Sequence, residues 1–214
     1  MHTPKIFTEN DPSTILQIMR ENAFASIITT DEEGKPVATQ LPFLIKQKND
    51  TIILQAHFAK ANTQWKHLES NSQVLVSFQG PHCYISPSWY EDSGVPTWDY
   101  VTVQTYGTAK LFESNQQTAE LIEELTDKYE QAFDEVLNKT LKNPWKAKNN
   151  YPDKMLNAIV GFEITVQEIQ GKVKIGQNKS REDLEGVVKA LDMSPLDNEK
   201  AISNLIKKYL ESKD

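Results

Sequence analysis

The stretch from Gly80 to Tyr100, which reads GPHCYISPSWYEDSGVPTWDY, restricts the fold more than any other part of the chain. It cannot be a helix, because each of its three prolines lacks a backbone donor and clashes with a preceding helical turn. Its pattern predicts a strand over residues 82–86 and a second strand over residues 95–100. The loop between them would carry aromatic rings suited to a planar ligand or a partner surface. The same rings could instead only close one end of a barrel.

Composition limits the function classes that the chain can serve. The 214 residues carry a net charge of −7, which argues against broad contact with nucleic acid because that needs a basic face. A single cysteine, Cys83, excludes an internal disulfide and favours a reducing compartment, so we expect a cytoplasmic protein. The first residues lack the pattern of a signal peptide, and no apolar run is long enough to span a membrane. We therefore expect no membrane association.

Short alternating segments predict a mainly antiparallel β fold. The predicted strands cover residues 24–30, 36–45, 51–56, 73–79, 82–86, 95–112 and 158–169. Successive hairpins, with Gly107 as a bulge, favour a small closed barrel over a parallel sheet. The predicted fold class is therefore α+β, with helices placed around and after the strands.

Helical periodicity occupies the remaining segments. We predict helices from about residue 12 to 22, over residues 62–70, in an insertion at about residues 114–157 and at the C-terminus over about residues 181–212. Helix-start signals lie at Asp11, Ser114, Ser180 and Ser194. We expect residues 1–214 to form a single domain on the length prior.

Most motifs of catalysis are missing from the sequence. The glycines form no phosphate loop or dinucleotide fingerprint, and the four histidines and Cys83 lack metal-ligand spacing. No motif supports a hydrolytic nucleophile, so we assign no catalytic or metal residue. His57 and His82 are expected to make structural hydrogen bonds, with a metal or haem-iron site as a weaker alternative. His82 and Cys83 would point to opposite faces of their strand, so they would not meet.

The segment HFAKANTQW, residues 57–65, predicts a phosphate-binding turn. Lys60, Asn62 and Gln64 crowd the start of a predicted helix, where free amides and the helix dipole favour an anion. Ordinary helix capping explains Asn62 equally well. A basic loop over residues 171–180 adds Lys172, Lys174 and Lys179 without an acid. With the aromatic loop, these features suit a planar aromatic phosphate, and flavin mononucleotide (FMN) is the natural case.

The ordered motifs HFAKANTQW, GPHCYISPSWY, VPTWDY, IVGFEI and GKVKIGQNKS resemble the PaiB family over nearly the whole chain. The resemblance implies FMN-binding negative transcriptional regulators of sporulation and degradative-enzyme genes. It also implies a split-barrel flavin-binding fold related to pyridoxamine-phosphate oxidases, and a homodimer with the flavin at the subunit interface. Three positions depart from the family: Asp99 stands where asparagine is usual, Val173 where tryptophan is common and Lys179 where arginine is common.

By this resemblance, Lys60, Asn62 and Gln64 would hold the phosphate of FMN. Around the ring or its pocket we expect the side chains of Trp89, Trp98, Gln177 and Asn178. His57, at the start of the first motif, completes the expected cofactor-binding set.

Two other functions remain open from sequence. One is an FMN-dependent oxidoreductase or haem-degrading enzyme on the same barrel, since a flavin needs few protein groups for its chemistry. The other is a dimeric binding protein without flavin. Direct contact with DNA would require local basic surfaces, for which the candidates are the loop of Lys172, Lys174 and Lys179 and the loop of Lys142, Lys146 and Lys148.

Overall fold

The computed structural model of the chain describes residues 1–137 and 151–213. Lys142, Lys146 and Lys148 therefore lie outside the described residues. The strands are β1 (Thr8–Glu9), β2 (Phe24–Thr30), β3 (Pro36–Pro42), β4 (Leu44–Lys48), β5 (Thr51–Ala59), β6 (Gln73–Ile85), β7 (Thr97–Leu111) and β8 (Ile159–Lys174). The helices are α1 (Pro12–Glu21), α2 (His67–Ser70), α3 (Asn115–Leu137), α4 (Asp153–Leu156), α5 (Arg181–Asp192) and α6 (Asp197–Glu211).

The strands form one sheet in the order β3-β2-β6-β7-β8-β5-β4, and β1 pairs with β8. Every pairing with a resolved register is antiparallel, which confirms the predicted mainly antiparallel α+β class. Among the described strands, β3 forms one edge of the sheet and β4 forms the other. The closed barrel that the hairpins favour is therefore wrong, and the sheet is open.

The described residues group into two compact units. The first contains residues 1–22, 78–104 and 170–214, and the second contains residues 23–77 and 105–169. Strands β6, β7 and β8 each contribute residues to both, because the sequence boundaries fall inside these long strands. The expectation of a single domain over residues 1–214 stays a prediction.

Each unit has its own apolar core. In the second unit, Phe162 stacks on Phe58 with ring centroids 5.0 Å apart and meets the edge of Phe43 at 6.4 Å. In the first unit, the two C-terminal helices pack on strand residues. That C-terminal cluster consists of Cys83, Ile85, Ile175, Leu184, Val187, Leu191, Ile202 and Ile206.

Local sequence signals account for several element boundaries. Asp11 caps α1 by accepting a hydrogen bond from the Thr14 amide at 2.8 Å, and Ser180 caps α5 through the Asp183 amide at 3.1 Å. These contacts confirm two predicted helix starts. The last helix instead begins at Asp197, with no side-chain cap from Ser194.

Two predicted breaks in the strands are wrong. Gln73 to Ile85 is one strand that continues through Pro81, although the sequence predicts two strands there. The β2–β6 register covers only Leu75 to Ser77, so Pro81 lies beyond the segment that pairs with β2, where a missing donor is tolerated. Strand β8 also runs to Lys174, so Lys172 and Lys174 belong to a strand and not to a basic loop.

Candidate functional site

The turn after β5 contains the residues predicted to bind phosphate. The chain forms a 3-10 helix over Thr63–Lys66 that continues directly into α2, so the predicted helix over residues 62–70 is confirmed apart from Asn62, which caps it. A segment this short has little macrodipole. The Lys60 side chain is exposed and has no hydrogen-bond or ion-pair partner among the described residues. Anion binding at this turn would therefore depend on the Lys60 charge and on local amides more than on a helix dipole.

Gln64 is buried beneath this turn, with 2% of its surface exposed. Its amide nitrogen donates to Val37 O at 3.0 Å and Thr29 Oγ1 at 3.1 Å, and its amide oxygen accepts from Thr39 Oγ1 at 2.5 Å. The Asn62 amide donates to the same Thr39 hydroxyl at 3.1 Å. The structure thus joins Asn62 and Gln64 through Thr39, a residue that the sequence analysis missed. Their phosphate contacts stay predictions.

His57 lies on β5, opposite Gly161 on β8. Its Nδ1 atom is buried and has no hydrogen-bond partner among the described residues. Burial lowers the pKa of His57, which favours the neutral ring. A buried polar atom without a partner is costly. His57 is therefore available to pair with a polar group outside the described residues, such as a bound ligand.

The aromatic loop, which we define as residues 86–96, holds Trp89 and Tyr90 against the C-terminal cluster. Both rings are half-buried, and the Lys179 ammonium lies 4.1 Å from the centre of the Tyr90 ring. Gly94 lies so close to the Tyr90 ring that an added Cβ would come within 2.4 Å of it. The loop is therefore a packed element of the first unit and not a free arm.

Trp98 lies just beyond this loop and is 54% exposed. The centre of its ring is 6.2 Å from the centre of the Tyr84 ring, which it meets edge to face, and 6.4 Å from the centre of the His82 ring. Tyr84 is itself 43% exposed. This aromatic patch of Trp98, Tyr84 and His82 offers an apolar, stackable surface for a planar ligand or a second protein.

Directly after Trp98, the Asp99 carboxyl group is buried. Burial raises the pKa of Asp99 to about 6, although the Lys174 ammonium 3.4 Å away favours the charged form. Lys174 also donates to Thr97 Oγ1 at 2.6 Å and to the Trp98 carbonyl. This pair fixes the first residues of β7, which carry Trp98.

Gln177 and Asn178 follow the end of β8. The Gln177 side chain accepts from the Ile175 amide at 2.8 Å and donates to the Val173 carbonyl at 2.6 Å, so it closes its own turn. Asn178 is exposed. Their predicted contacts with the flavin ring stay predictions.

The three lysines of the predicted basic loop all have internal partners. Lys172 is buried, donates to the His2 carbonyl at 3.3 Å and lies 4.9 Å from the centre of the Tyr100 ring. Lys174 binds Asp99, and Lys179 covers Tyr90. These lysines stabilise the first unit, which leaves less positive charge available for an external phosphate.

Other candidate sites are weaker. Burial, followed by the charges of Asp99 and Glu199, raises the pKa of Cys83 to about 12, so its thiolate is not accessible near neutral pH. Within residues 1–137 and 151–213, no group of three or more His, Cys, Asp or Glu side chains could hold a metal ion. No helix in these ranges is long and apolar enough to cross a membrane.

A cavity of about 520 Å³ lies in the first unit between α1 and α6. Val101, Val173 and Leu205 supply apolar lining, and Glu9 and Lys208 supply charge. None of the eight predicted cofactor-binding residues lines it, so it is not part of the predicted flavin site.

Comparison with known proteins connects this geometry to a family. Two solved structures share the fold over most of the chain: the flavocytochrome Anf3 from Azotobacter vinelandii and the FAD and heme binding protein from Mycobacterium smegmatis. The first is 17% identical and has a TM-score of 0.56, covering 86% of this chain and 78% of that one. The second is 15% identical with a TM-score of 0.56, covering 83% of this chain and 78% of that one. The chain therefore has a split-barrel fold of the kind found in flavin-binding proteins.

Sequence comparison then identifies the family. Residues 1–168 match the family model described as "Putative FMN-binding domain". The chain is 39% identical over 217 residues to "Protease synthase and sporulation protein PAI 2" of Bacillus subtilis, covering 99% of each chain. It is also 25% identical to the uncharacterized protein AN0679 of Emericella nidulans, covering 100% of this chain and 99% of that one. The chain belongs to the PaiB family, as the sequence motifs predict.

Proposed function

We propose that this chain is an FMN-binding, homodimeric regulator that represses transcription, as the PaiB resemblance implies. Family membership over residues 1–168 carries the proposal, because that range includes the turn after β5 and the aromatic patch. The relative named for protease synthesis and sporulation extends it to genes of those processes. When bound, FMN would supply redox chemistry of its own.

Of the residues that we assign to the phosphate, Lys60 has the most direct support. Its side chain is exposed without a partner among the described residues, and the amides of Ala61 and Thr63 have no acceptor in the same part of the chain. A lysine beside free amides suits a phosphate dianion. Gln64 and Asn62 would act mainly by fixing the backbone of this turn, since their side chains bind Thr39.

The aromatic patch is suited to the isoalloxazine ring or to the second subunit. Trp98 and Tyr84 expose large apolar rings, and such surfaces are more stable when covered. We place the homodimer contact and the ring side of the flavin at this patch. Light scattering at micromolar concentration tests the dimer, and a monomer there would exclude it.

Flavin binding is tested by titrating FMN fluorescence with purified protein. We expect Lys60→Ala to weaken binding by more than about tenfold, because a charge-assisted phosphate contact is lost. Lys35→Ala is the matched control, since Lys35 is an exposed lysine in the turn between β2 and β3 of the same unit. Equal affinities of the two variants would remove Lys60 from the site. An absence of FMN binding by the unaltered protein would refute the proposed cofactor.

Regulation is tested with candidate promoter fragments. Direct repression requires binding whose logarithmic affinity falls linearly with the logarithm of salt concentration. No binding at low salt, in the presence and absence of FMN, would exclude direct DNA contact. Reduction of bound flavin by a nicotinamide nucleotide with turnover would instead favour the oxidoreductase alternative.

A further inference from the structure

The C-terminal helices lie outside the family match, which ends at residue 168. The first of them, α5, nevertheless packs directly on the aromatic loop. At Gly186, in the middle of α5, an added Cβ would come within 2.2 Å of the Trp89 carbonyl oxygen. Only glycine permits this approach, so the backbone of α5 lies against the backbone of the loop. Helix α5 therefore packs against one defined part of the first unit, the aromatic loop.

Asp183 fixes the same loop by hydrogen bonds. Its Oδ1 atom accepts from the Glu91 amide at 3.0 Å and from the Asp92 amide at 3.4 Å. Asp183 is 6% exposed, and a carboxylate buried to this degree needs such donors. It also lies in the first turn of α5, where the helix dipole favours negative charge. The carboxylate thus joins two backbone amides that are about ninety positions away in sequence.

Other contacts close the same junction. The Lys179 ammonium, just before α5, covers the Tyr90 ring at 4.1 Å. Trp89 and Tyr90 pack on the C-terminal cluster, which includes Leu184 and Val187 of α5. Both ends and the rings of the loop segment 89–92 are therefore held from α5 and the turn before it. The arrangement is more specific than simple apolar packing, because a single carboxylate determines where two loop amides lie.

We propose that α5, supported from behind by α6 through the C-terminal cluster, forms a clasp that holds the aromatic loop in the shape required for flavin binding, with Asp183 as its positioning residue. This inference rests on the proposed function, in which the aromatic patch that begins just beyond this loop, at Trp98, lies against the flavin. Asp183 does not contact the flavin in this scheme. It acts through the backbone of residues 91 and 92 and so fixes the loop that leads into Trp98.

Two substitutions at Asp183 separate positioning from general stability. Asp183→Ala removes the acceptor, whereas Asp183→Asn keeps an oxygen that can accept both amides. Glu182→Ala is the matched control, because Glu182 is the neighbouring, exposed acid in the same helical turn. Full-length proteins are compared by FMN titration and by hydrogen exchange of residues 86–98.

We expect Asp183→Ala to weaken FMN binding by about tenfold or more and to speed amide exchange at residues 91 and 92. We expect Asp183→Asn to restore most of both, and Glu182→Ala to leave both unchanged. Unchanged exchange at these amides in Asp183→Ala would overturn the clasp. Faster exchange with unchanged FMN affinity would overturn the positioning role.

Exchange in the unaltered protein provides a test that needs no substitution, should Asp183→Ala fail to fold. The clasp requires the amides of residues 91 and 92 to be protected together with α5, because their acceptor belongs to that helix. Rapid exchange of these two amides beside a slowly exchanging α5 would overturn it. If the unaltered protein does not bind FMN, the proposed cofactor fails, while this exchange pattern still decides the clasp.

Discussion

Replacing Asp99 with asparagine should stabilise the protein, and the gain should grow with pH. The carboxyl group has a pKa of about 6 in the folded state against an ordinary value of 3.8. Because the folded state holds the proton more tightly, stability falls as pH rises from about 4 to about 6. Asparagine mimics the neutral form of the carboxyl group. Lys174 keeps its bonds to Thr97 and to the Trp98 carbonyl.

The magnitude follows from the pKa of Asp99, which is raised by about two units, because each unit corresponds to about 1.4 kcal/mol. At about pH 8 the full difference applies, so the free energy of unfolding of Asp99→Asn should be about 3 kcal/mol higher than that of the unaltered protein. At about pH 5 the folded carboxyl is largely protonated, and the gain should shrink to about 1.5 kcal/mol. These are upper values, because local relaxation and water reduce the effect of burial.

Urea denaturation followed by tryptophan fluorescence measures the difference at both pH values. Asp92→Asn is the matched control, since Asp92 is an exposed aspartate in the nearby aromatic loop, and its effect should not change with pH. A gain for Asp99→Asn that is the same at both pH values would refute the raised pKa. A loss of stability at about pH 8 would show that the pair with Lys174 outweighs the cost of burial.

Three further substitutions or modifications test the packing. Gly107→Ala should lower the free energy of unfolding by about 3 kcal/mol or prevent folding, because the added Cβ would lie 2.3 Å from a carbonyl oxygen of β8. Gly34→Ala, which lies in open space with φ of +83°, should lower it by only about 1 kcal/mol in the same urea assay. Gln64→Ala should cost about 2–3 kcal/mol through lost buried hydrogen bonds, against no effect of the exposed Gln40→Ala; equal melting curves would contradict this. Cys83 has a thiol pKa of about 12, so at about pH 8 it should react with iodoacetamide at least about a hundredfold more slowly in the folded than in the unfolded protein. Equal rates would show that the thiol is accessible in the folded protein.

Residue types typical of strands located β2 correctly. Residues 24–30 form β2 with the bounds that the sequence predicts, because β-branched residues are concentrated there, from Ile27 to Thr30. A different strand signal, alternation, was available in the segment from Gly171 to Ile175, where lysines alternate with Val173 and Ile175. Their charges suggested a loop, but Lys172 donates to the His2 carbonyl and Lys174 donates to Thr97 of β7. Charge alone therefore did not distinguish a basic loop from a strand whose lysines are satisfied internally.

Contacts that are distant in sequence explain the rest of what was missed. Gln64 looked like a ligand because its neighbours Lys60 and Asn62 are polar, yet its partners come from β2 and β3. Asp183 had no signal of its own, since its partners are backbone amides whose positions depend on the fold. Residue types show what a side chain is able to bind, whereas the fold decides whether that capacity is already used.

The use of lysines inside the first unit also bears on how a regulator of this kind would act. Lys172 lies over the Tyr100 ring, Lys179 lies over the Tyr90 ring and Lys174 pairs with Asp99. Removing them to test DNA contact would therefore perturb the loop and strand that they support. A change in promoter binding by such variants would have two explanations, whereas the salt dependence of the unaltered protein has one. Salt titration of the intact chain is accordingly the stronger test of direct repression, and charge replacement should be interpreted only beside amide exchange of the aromatic loop.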